Sequence, residues 1–209
     1  MTVGIQFATN RSHAPTGQVS DESGDRAELD RLTRLLDQSD DTSVVLLVDP
    51  ATRSWLRELA STGLKDSAEQ LLARADARAH IDMVHSGARL DRLVASKLTT
   101  VIDTVVSWSS TPTTVYLPTN GALDAATASY LAEHPEIVPA VSSTFVASNS
   151  PGGATVNGAH IVVRSSSAEK CFLAARPAPC LAGELTASAT SDAVFIATAR
   201  VWDPGPSSL

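Results

Sequence analysis

The chain has 209 residues, 43% of them hydrophobic and 19% charged, which is the composition of a soluble globular protein large enough to bury a core. Its formal net charge of −7 argues against a nucleic-acid-binding surface, which needs a positive field, and Lys and Arg never stand next to each other. No stretch approaches the roughly 20 apolar residues that cross a bilayer, so we expect no membrane span in this chain.

The first half of the chain predicts strands that alternate with helices. Residues 3–8 read as a strand, and leucines at helical spacing follow over about 26–38. Residues 44–48 form a continuous apolar run, as in strands covered on both faces. A helix then begins at Pro50, with Asp49 as its N-cap, and ends at Gly63. A second short helix is predicted over about 65–75.

The same alternation continues toward the carboxyl end. We predict strands at 79–84, 113–117 and 137–141, with helices at 87–96 and 122–134. Residues 99–106 are apolar and β-branched, and we favour a helix there over a strand. Beyond a flexible loop at 148–153, strands are predicted at 159–163 and 193–197, with weak helical character between them. Residues 1–204 form one domain, and 205–209 read as a frayed tail or truncated linker.

Polar clusters end five of these strands, after Ala8, Val48, Val84, Leu117 and Ala199. Parallel strands with helical returns gather their carboxyl ends on one face, where ligands of α/β proteins bind. We therefore predict an α/β fold, namely an irregular or incomplete (β/α) barrel of about seven mostly parallel strands. An open doubly wound sheet is the alternative.

The strand at 79–84 is the most polar. Alternation places Ile81 and Met83 on one face and His80 and Asp82 on the other. If helices cover the apolar face, His80 and Asp82 point into the barrel or its mouth, where they could act as acid and base. The alternative, which we favour, is a polar pair bonded to neighbouring strands or water.

Two Asp-Pro pairs follow strands. Asp49 stands where a barrel enzyme places a catalytic carboxylate, but helix capping alone explains an Asp before Pro50, and we favour capping. Asp203 follows Trp202 near the end of the chain. A Trp beside a carboxylate at a barrel mouth resembles a platform for stacking a sugar, although Trp202 could instead close the core.

Motifs for metal, phosphate or nucleophile chemistry are missing. The chain has no HExxH, GxSxG, GxxxxGK[ST] or GxGxxG sequence, and its five histidines are scattered. We therefore expect neither a metal nor a cofactor. The absence of these motifs also makes an enzyme the less favoured interpretation. Cys171 and Cys180 have the spacing of neither a zinc ribbon nor a CxxC redox pair. A disulfide bond and two free buried thiols both remain open.

Four segments carry a resemblance to a known family: 3–13, 46–51, 117–124 and 194–204. Together they resemble large exported actinobacterial proteins of unknown function, some encoded beside the lipid II flippase. The domain is similar to the barrels of polysaccharide deacetylases and some glycoside hydrolases. The resemblance implies an extracytoplasmic cell-envelope protein whose leader and membrane anchor lie outside this chain; a cytoplasmic protein is the alternative.

The chain departs from that family where acids are expected. Asn10 and Asn120 replace Asp, and His85-Ser86-Gly87 replaces a more acidic loop. Neutral amides cannot act as nucleophile, metal-ligand pair or proton donor in glycan hydrolysis. A carbohydrate-active ancestry with lost catalysis is therefore favoured.

Our leading hypothesis is a non-catalytic envelope domain that binds a cell-wall glycan, its precursor or a partner envelope protein through the strand-end face. The residues predicted for this face are Asn10, Arg11, His13, Asp49, His85, Asn120, Arg200, Trp202 and Asp203. The second hypothesis is an active glycan hydrolase or deacetylase that uses His80, Asp82 and Asp49. The third is a purely structural domain of a larger assembly.

Overall fold

A computed structural model of the chain describes residues 2–11, 21–39, 44–85, 88–146, 152–171, 180, 183–184 and 194–197. The strands are β1 (Thr2–Phe7), β2 (Val44–Val48), β3 (His80–Met83), β4 (Thr114–Tyr116), β5 (Ile137–Ser142), β6 (Gly152–Val156), β7 (Ala159–Arg164) and β8 (Val194–Ala197). The helices are α1 (Glu22–Gln38), α2 (Pro50–Leu59), α3 (Lys65–Asp76), α4 (Leu90–Ala95), α5 (Thr99–Ser107), α6 (Ala125–Ala132) and α7 (Ser166–Cys171), with a 3-10 turn at Ser143–Phe145.

Seven of the strands run parallel around an incompletely closed barrel. Strands β1 to β5 pair in chain order, and β8 pairs with β1 on its other side. Strand β7 pairs with β5 and, within the part of the chain that the structure describes, meets β8 through one residue pair, Arg164 with Val194. The predicted α/β fold of about seven mostly parallel strands is confirmed. The β5–β7 pairing brings the two edges of the sheet together, which favours the barrel over the open sheet.

Both faces of the strands are covered by apolar packing. On the inside, Leu47, Met83 and Ala140 form a small cluster, with Ile81 and Val115 against it. On the outside, the alternate residues of β1 and β2 pack against α1, α2 and α3. The continuous apolar run of β2 follows from this double coverage, as expected for a parallel strand.

The outer layer contains two separate apolar cores. One joins β1 and β2 to helices α1–α3 and includes Leu32, Leu56 and Leu71. The other joins β5 and β7 to α4, α5 and α6 and includes Ile102 and Leu131. The residues 99–106, for which we favoured a helix, lie in α5.

Two acidic side chains start helices at the carboxyl end of the barrel. Asp49 caps α2, with its Oδ1 accepting from the Ala51 N–H at 3.0 Å and Pro50 following at the first helical position. Asp124 caps α6 by accepting from the Thr127 N–H at 2.9 Å. The capping role predicted for Asp49 is confirmed, and it holds the turn after β2 in place.

Strand β6 differs from the prediction, which placed residues 148–153 in a loop. It pairs antiparallel with β7 through a tight hairpin at Asn157-Gly158, whose φ angles are +49° and +87°. Asn-Gly is the strongest short hairpin signal, because both residues tolerate positive φ. The sequence therefore carries a local signal for this hairpin at Asn157-Gly158. Residues 147–151 and the tail at 205–209 lie outside the described residues.

Candidate functional site

A groove opens in the helical layer between α2 and the segment that follows α5. Its volume is about 360 Å³. Helix α2 provides one wall, and residues after β3 and α5 provide the other. The described lining residues are Pro50, Ala51, Arg53, Ser54, Arg57, Glu58, His85, Trp108 and Ser110. A concave space of this size that combines one aromatic ring with several polar groups suits a small ligand.

The floor of the groove is a buried ion-pair network centred on Arg53. Its Nη1 contacts Asp82 and donates to Ser110 Oγ at 2.9 Å, while Nη2 lies 2.9 Å from Asp76 Oδ1. Arg53 is 5% exposed and Asp82 fully buried. The guanidinium thereby ties α2 to the end of α3, to β3 and to the loop after α5. The groove is consequently built on a floor held from three sides.

The Asp82 carboxylate is held in its ionised form. Burial pushes its pKa up, but the N–H and hydroxyl of Ser110 and the Arg53 guanidinium outweigh burial and lower the pKa below its usual value of 3.8. Ser109 Oγ donates a further hydrogen bond at 3.2 Å. An anion with this many donors is a structural acceptor and a poor proton donor near neutral pH.

Trp108 and Arg57 stand on the rim of the groove. Trp108 is 53% exposed, and the His85 ring packs against it edge to face, with centroids 5.3 Å apart. Arg57 is exposed on α2 and forms no ion pair within the part of the chain that the structure describes. The rim therefore presents a large apolar ring and a cation to solvent.

The strand ends gather on one face, but their side chains do not converge on one pocket. Arg11 turns back onto α1, where its Nε donates to Asp25 Oδ1 at 3.0 Å and its Nη2 to the Asp21 carbonyl oxygen. Asn10 is exposed, and its N–H donates to Glu28 at 2.6 Å. These residues fasten the end of β1 to α1.

The other predicted strand-end residues divide among separate places. Asp49 is buried beneath α2 as its cap, and His85 belongs to the groove. Asn120 is exposed in the turn after β4, which closes through a bond from the Gly121 N–H to the Pro118 carbonyl at 2.9 Å. His85 is thus the one strand-end residue, among those described, that lines the groove.

The predicted orientation of the β3 side chains is wrong. Alternation holds, but Ile81 and Met83 face the barrel interior, while Asp82 faces α2 and Arg53. His80 lies on the same face as Asp82, with its Nδ1 2.9 Å from the Arg78 carbonyl oxygen. The apolar face is inside because seven strands enclose a narrow interior, which leaves little room for a hydrated polar pair.

The remaining predicted residues, His13, Arg200, Trp202 and Asp203, lie outside the described residues. The sugar platform predicted at Trp202 therefore stays a prediction. Within the described ranges, the groove supplies a different exposed tryptophan, Trp108, which the sequence analysis did not single out. Its exposure depends on how α5 packs, and no local motif signals it.

Arg164 and Glu169 form a further ion pair, which the sequence analysis did not predict. Arg164 pairs in register with Ser142, on the inward-facing side of β7, and its Nε donates to the Ala140 carbonyl oxygen at 3.2 Å. Its Nη1 contacts Glu169 of α7. Burial raises the pKa of Glu169 despite this partner. Extending the alternation of β7 by one residue would have placed Arg164 inside the barrel.

Cys171 and Cys180 form a disulfide bond, with their Cα atoms 5.3 Å apart. Cys171 is the last residue of α7 and is fully buried. The bridge holds the end of this helix to the chain nine residues further on. Of the two alternatives left open by the spacing, the structure contains the bonded one.

The described ranges contain neither a cluster of metal-ligating side chains nor a membrane-spanning helix. There, His, Cys, Asp and Glu side chains form no group of three or more that could hold a metal ion. Nor does any described helix combine the length and apolar character needed to cross a membrane.

Comparison of the chain with protein-family models, curated proteins and solved structures found no match. The groove and its chemistry are therefore the basis for assigning a function to this chain.

Proposed function

We propose that this chain is a non-catalytic domain of the cell envelope that binds a glycan in the groove between α2 and α5. The observation that carries the proposal is the exposed Trp108 ring beside a groove lined by hydroxyl and charged groups. A sugar offers an apolar C–H face to an aromatic ring and hydroxyl groups to polar neighbours. The volume of about 360 Å³ suits a short oligosaccharide.

The groove has the features of a preformed site. Arg53 joins its α2 wall to Ser110, which follows Trp108 by two residues. His85 packs on the Trp108 ring from the end of β3. A wall held in place before the ligand arrives loses little conformational freedom on binding, which favours affinity.

The carboxylates available for catalysis support binding without hydrolysis. Glycoside hydrolysis uses a pair of acids flanking the bond, one of which donates a proton. Asp82 is held as an anion by Arg53 and Ser110, and Asp49 caps α2. Glu58 is the one carboxylate among the described lining residues. A hydrolase or deacetylase built on His80, Asp82 and Asp49 would have to dismantle these structural bonds.

The Cys171–Cys180 bond supports an extracytoplasmic location, because disulfides persist in oxidising compartments and are rare in the cytosol. Together with the resemblance to exported envelope proteins, it favours a domain displayed at the cell surface and tethered in the full-length protein. Mass spectrometry of unreduced protein from its native host tests this location. We expect the bridged form, and free thiols alone would contradict export.

The decisive experiment on the groove is the Trp108→Ala variant, tested by calorimetry with cell-wall oligosaccharides. Loss of a stacking ring should weaken binding by about tenfold or more. The matched control is Val101→Ala, which removes an exposed apolar side chain of α5 outside the groove. Equal affinity in the Trp108 variant and wild type would sink the proposed site. Release of reducing ends or acetate during incubation would overturn the non-catalytic assignment.

A partner envelope protein is the second candidate ligand, and α5 provides the observation that favours it. Leu98, Val101 and Trp108 are 47%, 41% and 53% exposed along this helix and its caps. Exposed apolar side chains of this size mark protein contacts when they adjoin one another. A photo-crosslinker at Val101 that yields a single protein adduct in the native host, with glycan affinity absent, would favour this candidate.

A further inference from the structure

The charges around the groove do not balance in the same way on its floor and on its rim. On the floor, Arg53 is compensated by Asp82 and Asp76. On the rim, Arg57 is exposed and forms no ion pair with any described residue. Arg57 is one turn further along α2 than Arg53, so both arginines project from the same side of the helix into the groove.

We propose that the groove selects an acidic saccharide, one that carries a carboxylate or phosphate group, and that Arg57 reads this group while Trp108 stacks on the sugar ring. This inference rests on the proposed function. A guanidinium presents a planar fork of N–H donors that fits two oxygens of a carboxylate or phosphate. A neutral sugar would leave that fork hydrated and unused.

The selection works by contact and not by the field of the whole molecule. The chain carries a net charge of −7, so an anion gains no general attraction toward it. Arg57 must therefore touch the acidic group directly. Since Arg57 is exposed, added salt weakens the acidic preference, whereas stacking on Trp108 persists.

Glu58 is the neighbour that sets the size of the preference. It is half-buried, lines the same groove and follows Arg57 in α2. A carboxylate beside the entering acidic group repels it, so Glu58 reduces the preference that Arg57 creates. Replacing Glu58 by Gln keeps its shape and removes the repulsion.

The test uses two saccharides that differ only at their carboxyl groups, which are ionised in an oligogalacturonate and neutral methyl esters in its fully esterified form. We expect wild-type protein to bind the acid about tenfold more tightly than the ester. Arg57→Gln should bind both forms equally, Arg57→Lys should keep part of the preference, and Glu58→Gln should increase it. Glucose 6-phosphate, competing against glucose, tests whether a phosphate can replace the carboxylate.

The control is Arg26→Gln, which removes an exposed arginine from α1, away from the groove. It should keep the wild-type preference. An unchanged preference in Arg57→Gln, or equal binding of acid and ester by wild type, would overturn the inference and leave glycan binding standing. Failure of every saccharide, charged or neutral, would overturn glycan binding itself, and the inference with it.

Discussion

Both sides of the barrel have an apolar core, but the α1–α3 side also contains buried arginine ion pairs, whereas the described ion pair on the α4–α6 side lies at the surface. On the first side, Arg53 joins Asp82, and Arg31 joins Glu28 and the Ala8 carbonyl oxygen. On the second side, from α4 to α6, the Arg89–Asp91 ion pair lies at the surface. Aliphatic and aromatic side chains form the core on both sides, so the buried arginines are what distinguishes the first side.

The groove lies where these two sides meet, and its parts follow the difference. Its charged floor belongs to the α1–α3 side, and its aromatic wall belongs to α5. The buried arginines of the first side, Arg31 and Arg53, are committed to ion pairs that stabilise the structure. The groups that we propose meet a ligand, Trp108 and Arg57, lie outside these networks. The buried polar groups stabilise the fold, and the proposed ligand-binding groups lie on the rim.

The largest expected effect comes from breaking the arginine network. Arg53→Met leaves the Asp82 charge buried without its partner and should cost about 3–5 kcal/mol of unfolding free energy, measured by urea denaturation. Arg89→Met is the matched change on the other side, where the ion pair faces water, and should leave stability within error. Adding Asp82→Leu to Arg53→Met should recover much of the loss. Equal losses in both single variants would remove the contrast between the two sides.

A smaller effect is expected from the Cys171–Cys180 bond, which stabilises α7 where the arginine network does not reach. Cys171→Ala with Cys180→Ala should lower the unfolding free energy by about 2–3 kcal/mol, because closing a short loop restricts the unfolded chain. Dithiothreitol should reduce the stability of wild type by a similar amount and leave the double variant unchanged. If dithiothreitol does not change the unfolding free energy of the wild type, the bond contributes nothing to stability.

The smallest expected effect is a difference in how two carboxylates, Asp82 and Glu169, make the unfolding free energy depend on pH. The pKa of Asp82 is lowered, so its stabilising effect is present above about pH 3.8 and is lost as the pH falls through its lower folded pKa. The pKa of Glu169 is raised by burial, so its effect is present below about pH 4.5 and is lost as the pH rises through its higher folded pKa.

Unfolding free energies measured from about pH 3 to pH 7 should separate these two steps. Ser110→Ala removes one hydrogen-bond donor to Asp82. It should therefore reduce the gain in unfolding free energy that appears as the pH rises through the pKa of Asp82. Glu169→Gln should abolish the loss of stability at higher pH and leave the step that belongs to Asp82 unchanged. A single common step, altered equally by both substitutions, would contradict the opposite shifts.

Much of the fold could be predicted from local patterns. Helical leucine spacing located α1, and the Asp49-Pro50 pair marked the start of α2, because capping and the fixed φ of proline act within a few residues. The gathering of strand ends on one face followed from parallel pairing. The β6–β7 hairpin was missed although Asn157-Gly158 indicates it.

The site could be predicted less well, because it depends on which face of each element is covered. The alternation of β3 correctly placed Ile81 and Asp82 on opposite faces. A barrel strand is covered on both faces, so its sequence alone does not show which face points inward. Trp108, Arg57 and His85 lie far apart in the chain and meet only through the gap between α2 and α5. No spacing rule links them.

Local opening of the barrel should begin between β7 and β8. Strands β1 and β2 share five paired positions, whereas within the described ranges β7 and β8 share one, Arg164 with Val194. We therefore expect the described part of this seam to open locally at a lower free energy than global unfolding. Amide protons beside the seam should then exchange with solvent sooner than those of β2, and the barrel would loosen from one edge while its opposite wall stays intact.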